Sequence, residues 1–294
     1  MSKESPFSGD SFMILSFHPC FVADAQIILA DRKLSVEDRR LIRAADVIIL
    51  PQTCSLALYK ACANSNARVF PDYELRFKYP GKVGQSILFE KLKIPHPATK
   101  RWPSVRKFRD YLKAEKGPPH ETPFFLKTDK SHEGDGILFV SDRRTLETAL
   151  ARLEKIGSNR FISQELIPCH GNVLRTVVLN KRIITYWKRA DSSHGLISSV
   201  SRGSVVDEKW KPELQEKGKG QAQRICEKTG INLAAFDVAF NSDHPDPQPF
   251  ILEINHYFGR KGLGGSLRYY RLLLKAIQEW LKEEGLDARR MKLV

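Results

Sequence analysis

Phe250-Ile251-Leu252-Glu253-Ile254-Asn255 reads as a β-strand, and so does Leu233-Ala234-Ala235-Phe236-Asp237-Val238-Ala239-Phe240 before it. The segment between them, Asn241-Ser242-Asp243-His244-Pro245-Asp246-Pro247-Gln248-Pro249, is a run of turn formers that cannot continue a central strand. A hairpin folded symmetrically about Pro245 sets Asp237 opposite Glu253. Side chains alternate between faces along a strand. Phe236, Val238, Phe240, Phe250, Leu252 and Ile254 therefore form one apolar face, and Ala235, Asp237, Ala239, Ile251, Glu253 and Asn255 form the other. Two facing carboxylates repel unless a cation lies between them. Asp237, Glu253 and Asn255 are hard oxygen donors beside small alanines, a set that suits Mg²⁺, which keeps positions open for water and phosphate oxygens. A surface hairpin with its acids in water carries the same pattern and, for this spacing alone, is the commoner source of it.

The bulk of the chain narrows the classes. Its 294 residues allow two or three packed units. A hydrophobic content of 41% with 28% charged residues is that of an ordinary globular protein. No apolar run reaches the length of a membrane span, and Phe12-Met13-Ile14-Leu15 is too short for a signal-peptide core, so no membrane is expected. Five scattered cysteines (Cys20, Cys54, Cys62, Cys169, Cys226) without a CxxC pair point to reduced thiols in the cytoplasm and against a zinc or disulfide framework. A formal charge of +14 calls for an anionic partner: nucleic acid, a polyphosphate nucleotide or an acidic substrate. The basic residues are spread along the chain with no recognisable nucleic-acid module, so nucleic acid is not expected and most of them are solvated surface.

In chain order, Ser11 to Phe17, Asp46 to Leu50 and Ala67 to Phe70 read as strands alternating with helices at Val36 to Ala44, capped by Ser35, and at Ser55 to Ala63. That is a small parallel α/β unit. Arg76 to Lys82 marks a boundary, followed by a helix from Gln85 to Leu92, a proline-punctuated connector from Ile94 to Thr99, and a helix capped by Ser104. Pro123 to Lys127 and Ile137 to Val140 are strands flanking the glycine loop Ser131 to Gly136, and the next helix is capped by Ser141. Two strands around a glycine loop are ordinarily just a hairpin. Lys127 beside freed backbone N–H groups gives this one the means to cover a triphosphate. Arg160 to Ile167 is a strand, Asn172 to Leu179 and Arg182 to Lys188 form a hairpin, Leu196 to Val206 contains a turn, and Pro212 to Lys228 is a helix. After the metal-type hairpin comes the loop Gly259 to Gly265. A last helix from Ser266 then buries Leu267, Tyr270, Leu274, Ile277 and Leu281, and the tail Arg289 to Lys292 is expected to be disordered.

Six features recur here in a family's order: Gly81-Lys82, Ile94-Pro95-His96-Pro97-Ala98-Thr99, Pro123 to Lys127 with its glycine loop, Gln164-Glu165-Leu166-Ile167, Gly171 to Arg175, and Asp237 with Glu253-Ile254-Asn255. Over residues 78 to 280 the chain resembles the ATP-grasp superfamily, and within it the RimK-like and glutathione-synthetase-like carboxylate–amine ligases. The resemblance implies an α/β (α+β) ATP-grasp fold with a small N-terminal parallel α/β (pre-ATP-grasp) domain at 1–80. A central subdomain with a glycine-rich lid would occupy 81–165 and a C-terminal subdomain with the metal site 166–294. It implies ATP and Mg²⁺ as cofactors, two ions, with Mn²⁺ as the alternative. Lys82 and Lys127 would hold phosphates, Glu133, Gly134 and Gly136 would belong to the lid, and Gln164, Glu165, Leu166 and Ile167 would form the hinge that reads adenine. Asp237, Glu253 and Asn255 would be metal ligands, and Arg175, Arg189 and Arg202 the catalytic cations. For Arg175 and Arg189, ordinary ion pairing on a sheet is the other reading.

The departures are local. Val173 stands where RimK-like enzymes carry an Asp placed for ribose, and Ile197-Ser198-Ser199 replaces an Arg-x-Asn. The loop with Arg260, Gly264 and Gly265 is more basic than the Pro-Gly sequence usual there, which makes it a candidate carboxylate-binding loop at a helix N-terminus. The implied activity is amide formation through an acyl phosphate between a small-molecule acid and an amine or peptide. A kinase on the same scaffold and a non-catalytic ATP-binding regulatory protein are the rival readings. Relatives commonly associate, so a homo-oligomer remains open.

Overall fold

The computed structural model describes residues 12–129, 136–157, 160–190 and 204–294. The first unit contains β1 (Ile14–Ser16), β2 (Phe21–Val22), β3 (Ala25–Gln26), α1 (Val36–Ala44), β4 (Val47–Ile49), α2 (Leu56–Ala63) and β5 (Arg68–Phe70). Its sheet has the order β3-β1-β4-β5 with every pair parallel. The three buried residues of β1 and of β4 explain why both strands read as short unbroken apolar runs. Ser35 caps α1 in a reciprocal capping box with Asp38.

After α3 (Glu74–Lys78), α4 runs Gly81–Lys91, so Lys82 sits in its first turn and not ahead of the helix. A second sheet is built from β6 (Thr99–Trp102), β7 (Phe124–Thr128), β8 (Ile137–Val140) and β9 (Phe161–Glu165), in the antiparallel order β6-β9-β7-β8. β6 begins where the proline connector ends. Helices α5 (Val105–Ala114) and α6 (Arg143–Lys155) cover one face of this sheet and close a core around Phe108, Leu126, Leu150 and Phe161. The cap of α6 is Asp142, one residue after the expected Ser141.

The third sheet holds β10 (Val173–Leu179), β11 (Arg182–Arg189), β12 (Val205–Asp207), β13 (Leu233–Phe240) and β14 (Pro249–Asn255), in the antiparallel order β12-β11-β10-β13-β14. Helix α7 (Pro212–Thr229), closed by the left-handed Gly230, packs with α4 against one face through Leu214, Ala222, Leu88 and Phe89. Helix α8 (Gly265–Glu283) packs against the other. The core there is shared: Val177, Tyr186 and Ala235 of the third sheet meet Tyr269, Leu273 and Ile277 of α8, which also meet Ile14, Val47 and Phe70 of the first sheet. The face that α8 buries is led by Tyr269, Leu273, Ala276, Ile277, Trp280 and Leu281, whereas Leu267 is 59% exposed. Leu267, Tyr270 and Leu274 also satisfy the helical period, but packing turns the start of the helix so that Tyr269 and Leu273 are buried instead.

The C-terminal segment is ordered, contrary to the expectation for Arg289 to Lys292. A short 3₁₀ turn at Ala288–Arg290 leads into β15 (Lys292–Leu293), which pairs antiparallel with β2. Arg290 is ion-paired with Asp24 at 2.7 Å, and Met291 is 1% exposed in the shared core. All five cysteines are free, and no helix among the described residues is long and apolar enough to cross a membrane. Met291→Ala removes a fully packed side chain from this junction and should cost about 2–4 kcal/mol in urea denaturation; an unchanged midpoint would contradict the packing described.

Candidate functional site

The decisive hairpin forms with the expected register up to its key pair. Asp237 lies opposite Glu253 and Ala235 opposite Asn255. Beyond that pair the ladder slips, with Val238 opposite Ile251 and Leu252 left over as a β-bulge. The bulge corrects the expected faces. Ile251 turns into the apolar core with Val238 and Ile254, while Leu252 joins Asp237, Ala239 and Glu253 in lining a cleft.

That cleft lies between the second and third sheets. Phe125, Lys127 and Ile137 come from one side, Lys188, Asp237, Ala239, Leu252 and Glu253 from the other. The chain crossing between the sheets, Gln164 to Gly171, forms its back wall. Of the expected hinge, Gln164 is buried at the end of β9, donates through Nε2 to Thr99 Oγ1 at 3.0 Å, and accepts from Lys127 Nζ. Glu165 Oε1 accepts from Ala98 N–H at 3.0 Å. Leu166 and Ile167 present an apolar edge to the cleft, and so does Val173, where a ribose-binding carboxylate was absent from the sequence. Cys169 and His170 sit in a turn and not on a strand; His170 has a left-handed backbone (φ 48) and lies 3.4 Å from Asp243.

The charges are arranged around Asp237. Arg175 of β10 grips its carboxylate with both ends of the guanidinium, Nε to Oδ1 at 2.7 Å and Nη2 to Oδ2 at 3.0 Å. Lys188 Nζ of β11 lies 2.8 Å from Oδ1, and Asn255 Nδ2 lies 3.4 Å from Oδ2. Burial alone would push the Asp237 carboxyl up, but the charges and hydrogen bonds of Arg175 and Lys188 outweigh it and hold the group at about 2. Lys188 was missed in the sequence although a signal existed. A hairpin turning at Asn180-Lys181 pairs Arg175 with Tyr186, so Lys188 shares the face of Arg175. Arg189, its neighbour, necessarily points the other way. It lies over the Trp210 ring at 4.8 Å and pairs with Asp207 at 3.0 Å, outside the cleft, which corrects its assignment as a catalytic cation.

Lys82 reaches the same place from α4, 3.6 Å from Glu253 Oε1. Its placement depends on Asp129, also missed in the sequence. Val83 N–H donates to Asp129 Oδ1 at 2.9 Å and Lys82 N–H to the Asp129 carbonyl at 3.0 Å, satisfying the first turn of α4. Arg160 Nη2 holds the other carboxylate oxygen at 2.7 Å. Gly81 takes φ +69 here, and a Cβ on it would lie 2.4 Å from Asp129 Oδ1, so a glycine is demanded. Lys127, buried beneath the cleft, is lowered by burial to about 8, with Glu253 opposing and Lys82 adding to the shift. Gly136 is buried at the foot of the loop, its carbonyl accepting from Thr128 N–H at 2.9 Å. Glu133, Gly134 and Arg202 lie outside the described residues.

Arg260, Gly264 and Gly265 do not line this cleft. Arg260 lies over the rings of Tyr269 and Tyr270, at 5.1 and 4.5 Å, at the start of α8. It faces His18 of the first unit, whose imidazole is driven down to about 4 by burial and by the Arg260 charge. Gly264 and Gly265 both adopt positive φ in the turn that opens α8.

The donor set also bears on a divalent cation. Asp237 and Glu253 are ionisable oxygens on one face of one hairpin, and Asn255 adds a neutral one, a hard-ligand set with a single shared side. Among the described residues no group of three His, Cys, Asp or Glu could hold a metal ion, so the candidate set is two carboxylates and an amide. Four cations (Lys82, Lys127, Arg175, Lys188) surround those two carboxylates, so the cleft has excess positive charge. Such a set fits a cation that arrives with a polyanion.

No family model matches the sequence, and no curated protein matches it in sequence. The fold does match solved structures. A RimK-domain ATP-grasp protein from Sphaerobacter thermophilus aligns with a TM-score of 0.55 at 17% identity, over 89% of this chain and 97% of that one. D-alanine–D-alanine ligase from Bacillus anthracis aligns with a TM-score of 0.58 at 10% identity, over 88% and 87%. An N5-carboxyaminoimidazole ribonucleotide synthetase, solved as its ADP complex, gives 0.57 at 15% identity, over 81% of this chain; the chain spans 60% of that protein's length. The chain has the ATP-grasp fold.

Removing the charge of Asp237 leaves two buried cations facing each other. Asp237→Asn should therefore destabilise the protein by about 3–5 kcal/mol, while Lys188→Met, which leaves the Arg175–Asp237 pair intact, should cost less. Chemical denaturation of both variants checks the order, and the reverse order would refute this arrangement.

Proposed function

We propose that the protein is an ATP-dependent carboxylate–amine ligase that forms an amide through an acyl phosphate. The observation that carries this reading is one cleft lined by Lys127, Asp237 and Glu253, with Lys82 3.6 Å from Glu253, Asn255 3.4 Å from Asp237, and Leu166 and Ile167 on its wall. In this reading residues 1–80, 81–165 and 166–294 are the N-terminal, central and C-terminal units. Adenine lies against Leu166 and Ile167 and is read by the hinge backbone. Lys82 and Lys127 hold the phosphates, with Gly136 at the base of the lid that would also contain Glu133 and Gly134. Asp237, Glu253 and Asn255 would hold Mg²⁺, which when bound neutralises charge on the phosphoryl group being transferred.

The chain's own residues set up the transfer. Arg175 and Lys188, fixed on Asp237, add positive charge where the γ-phosphoryl leaves ADP. A carboxylate oxygen of the acid attacks the γ-phosphorus and ADP departs, which converts an oxide leaving group into phosphate. The amine nitrogen then attacks the acyl carbon, phosphate leaves, and the nitrogen loses a proton. Arg260 at the opening of α8, with Gly264 and Gly265 freeing the backbone, lies outside the cleft and is assigned to a carboxylate of the acid other than the one that attacks phosphorus. Free cysteines accord with a cytoplasmic setting.

The test is phosphate release from Mg-ATP over a panel of amino acids and short peptides. ADP formation that requires both an acid and an amine supports the ligase, and transfer to a hydroxyl alone supports a kinase. Glu253→Gln should lower turnover with the best pair by about 10²-fold or more; full activity in that variant would remove Glu253 from the mechanism. A pH dependence follows from Lys127. Its ammonium, favoured by phosphate oxygens, is lost as pH rises through about 8. Affinity for ADP in EDTA should therefore fall between pH 7 and pH 9 by calorimetric titration, and Lys127→Arg, charged throughout, should flatten the profile.

A further inference from the structure

β14 is an edge strand of its sheet, so those of its N–H and C=O groups that point away from β13, Ile254's among them, have no neighbouring strand. They are not left to solvent. Gln85 of α4 donates from Nε2 to the Ile254 carbonyl at 2.7 Å and accepts from Ile254 N–H through Oε1 at 2.8 Å. One side-chain amide thus makes both bonds that a neighbouring strand would make. Ile251 N–H donates to the Pro95 carbonyl at 2.8 Å, so the strand is pinned on either side of the bulge at Leu252. Ile254 lies between Glu253, which lines the cleft, and Asn255, which lies 3.4 Å from Asp237, while its own side chain enters the core.

The same helix carries Lys82, and Lys82 and Gln85 are three residues apart, on one helical face. The α4 helix is itself fixed to the end of β7 by Asp129. A single rigid rod therefore sets the distance between a phosphate-type lysine and the strand that bears two oxygen ligands.

We propose that Gln85 is a positioning residue. By clamping the main chain of Ile254 it holds Glu253 and Asn255 in the arrangement that receives the divalent cation with the nucleotide. This rests on the metal reading of Asp237, Glu253 and Asn255 above. Groups that orient ligands at one remove typically contribute 10–100-fold in metal affinity, and a bulged edge strand has few other restraints to replace the clamp.

The experiment measures Mn²⁺ binding by electron paramagnetic resonance in the presence of a non-hydrolysable ATP analogue, and analogue binding in EDTA by calorimetry. Gln85→Met, of similar volume but without either hydrogen bond, should weaken Mn²⁺ binding about tenfold or more while leaving metal-free analogue binding within about twofold. Gln85→Glu keeps the acceptor for Ile254 N–H and should fall between Met and the wild type; it decides the matter if Gln85→Met does not fold. Unchanged Mn²⁺ binding in the folded variants overturns the proposal alone. A parallel loss of Mn²⁺ binding, analogue binding and melting temperature also overturns it, because Gln85 would then serve the fold in general. Absence of Mn²⁺ binding by the wild-type protein overturns this proposal together with the metal reading.

Discussion

A carboxylate shielded from water must be compensated, and at Asp237 the compensation comes from two neighbouring strands at once. Arg175 lies directly across the ladder on β10, and Lys188 reaches over from β11. A one-residue slip in either pairing would turn a charge into the apolar core formed by Leu174, Trp187 and Phe236. The ion cluster therefore specifies the register of three strands, and the apolar faces around it enforce the same choice. Its contribution is to uniqueness more than to net stability, since desolvating three charges consumes most of what their attraction returns.

From that fixed point the cleft is built by two connections of different character. The crossing at Gln164 to Gly171 joins the second and third sheets covalently and supplies the cleft's back wall. Helix α4 joins them by contacts, capped by Asp129 at one end and bonded through Gln85 to Ile254 along its side. Helix α8 and the C-terminal strand then tie the third sheet to the first, through a core that includes Ile14, Phe70, Tyr269 and Met291. Gly262 shows how close this packing is: a Cβ there would lie 2.2 Å from the Tyr186 ring.

Much of this was legible because period and chemistry agreed. A hairpin symmetric about Pro245 placed Asp237 across from Glu253, and the capping residues Ser35 and Ser104 marked helix starts that the structure reproduces. Illegible features were those decided by contacts distant in sequence. The bulge at Leu252 leaves no mark in an apolar run, so Ile251 and Leu252 were assigned to the wrong faces. Asp129 carries no signal of its own in the sequence, because the turn of α4 that rests on it lies 46 residues away. The tail at Arg289 to Lys292 looked like solvated charge, and its order comes from Asp24 and β2, more than 260 residues away. Arg189, and not Lys188, is the residue to which the family resemblance points. The hairpin register, readable from Asn180-Lys181, decides between the two neighbours.

The charge balance of the cleft carries one consequence for its chemistry. Lys82 and Lys188 rest near Glu253 and Asp237, so each lysine and each carboxylate shields the other before any ligand arrives. A polyphosphate alone would compete with the carboxylates for the lysines, and a divalent cation alone would compete with the lysines for the carboxylates. Arriving together, a polyanion would take the cations and a metal the acids, and neither desolvated group would be left without a partner. In the proposed function, ion pairs of this kind would act as placeholders, and they would favour entry of a nucleotide and a metal as one neutralised unit over entry of either component first.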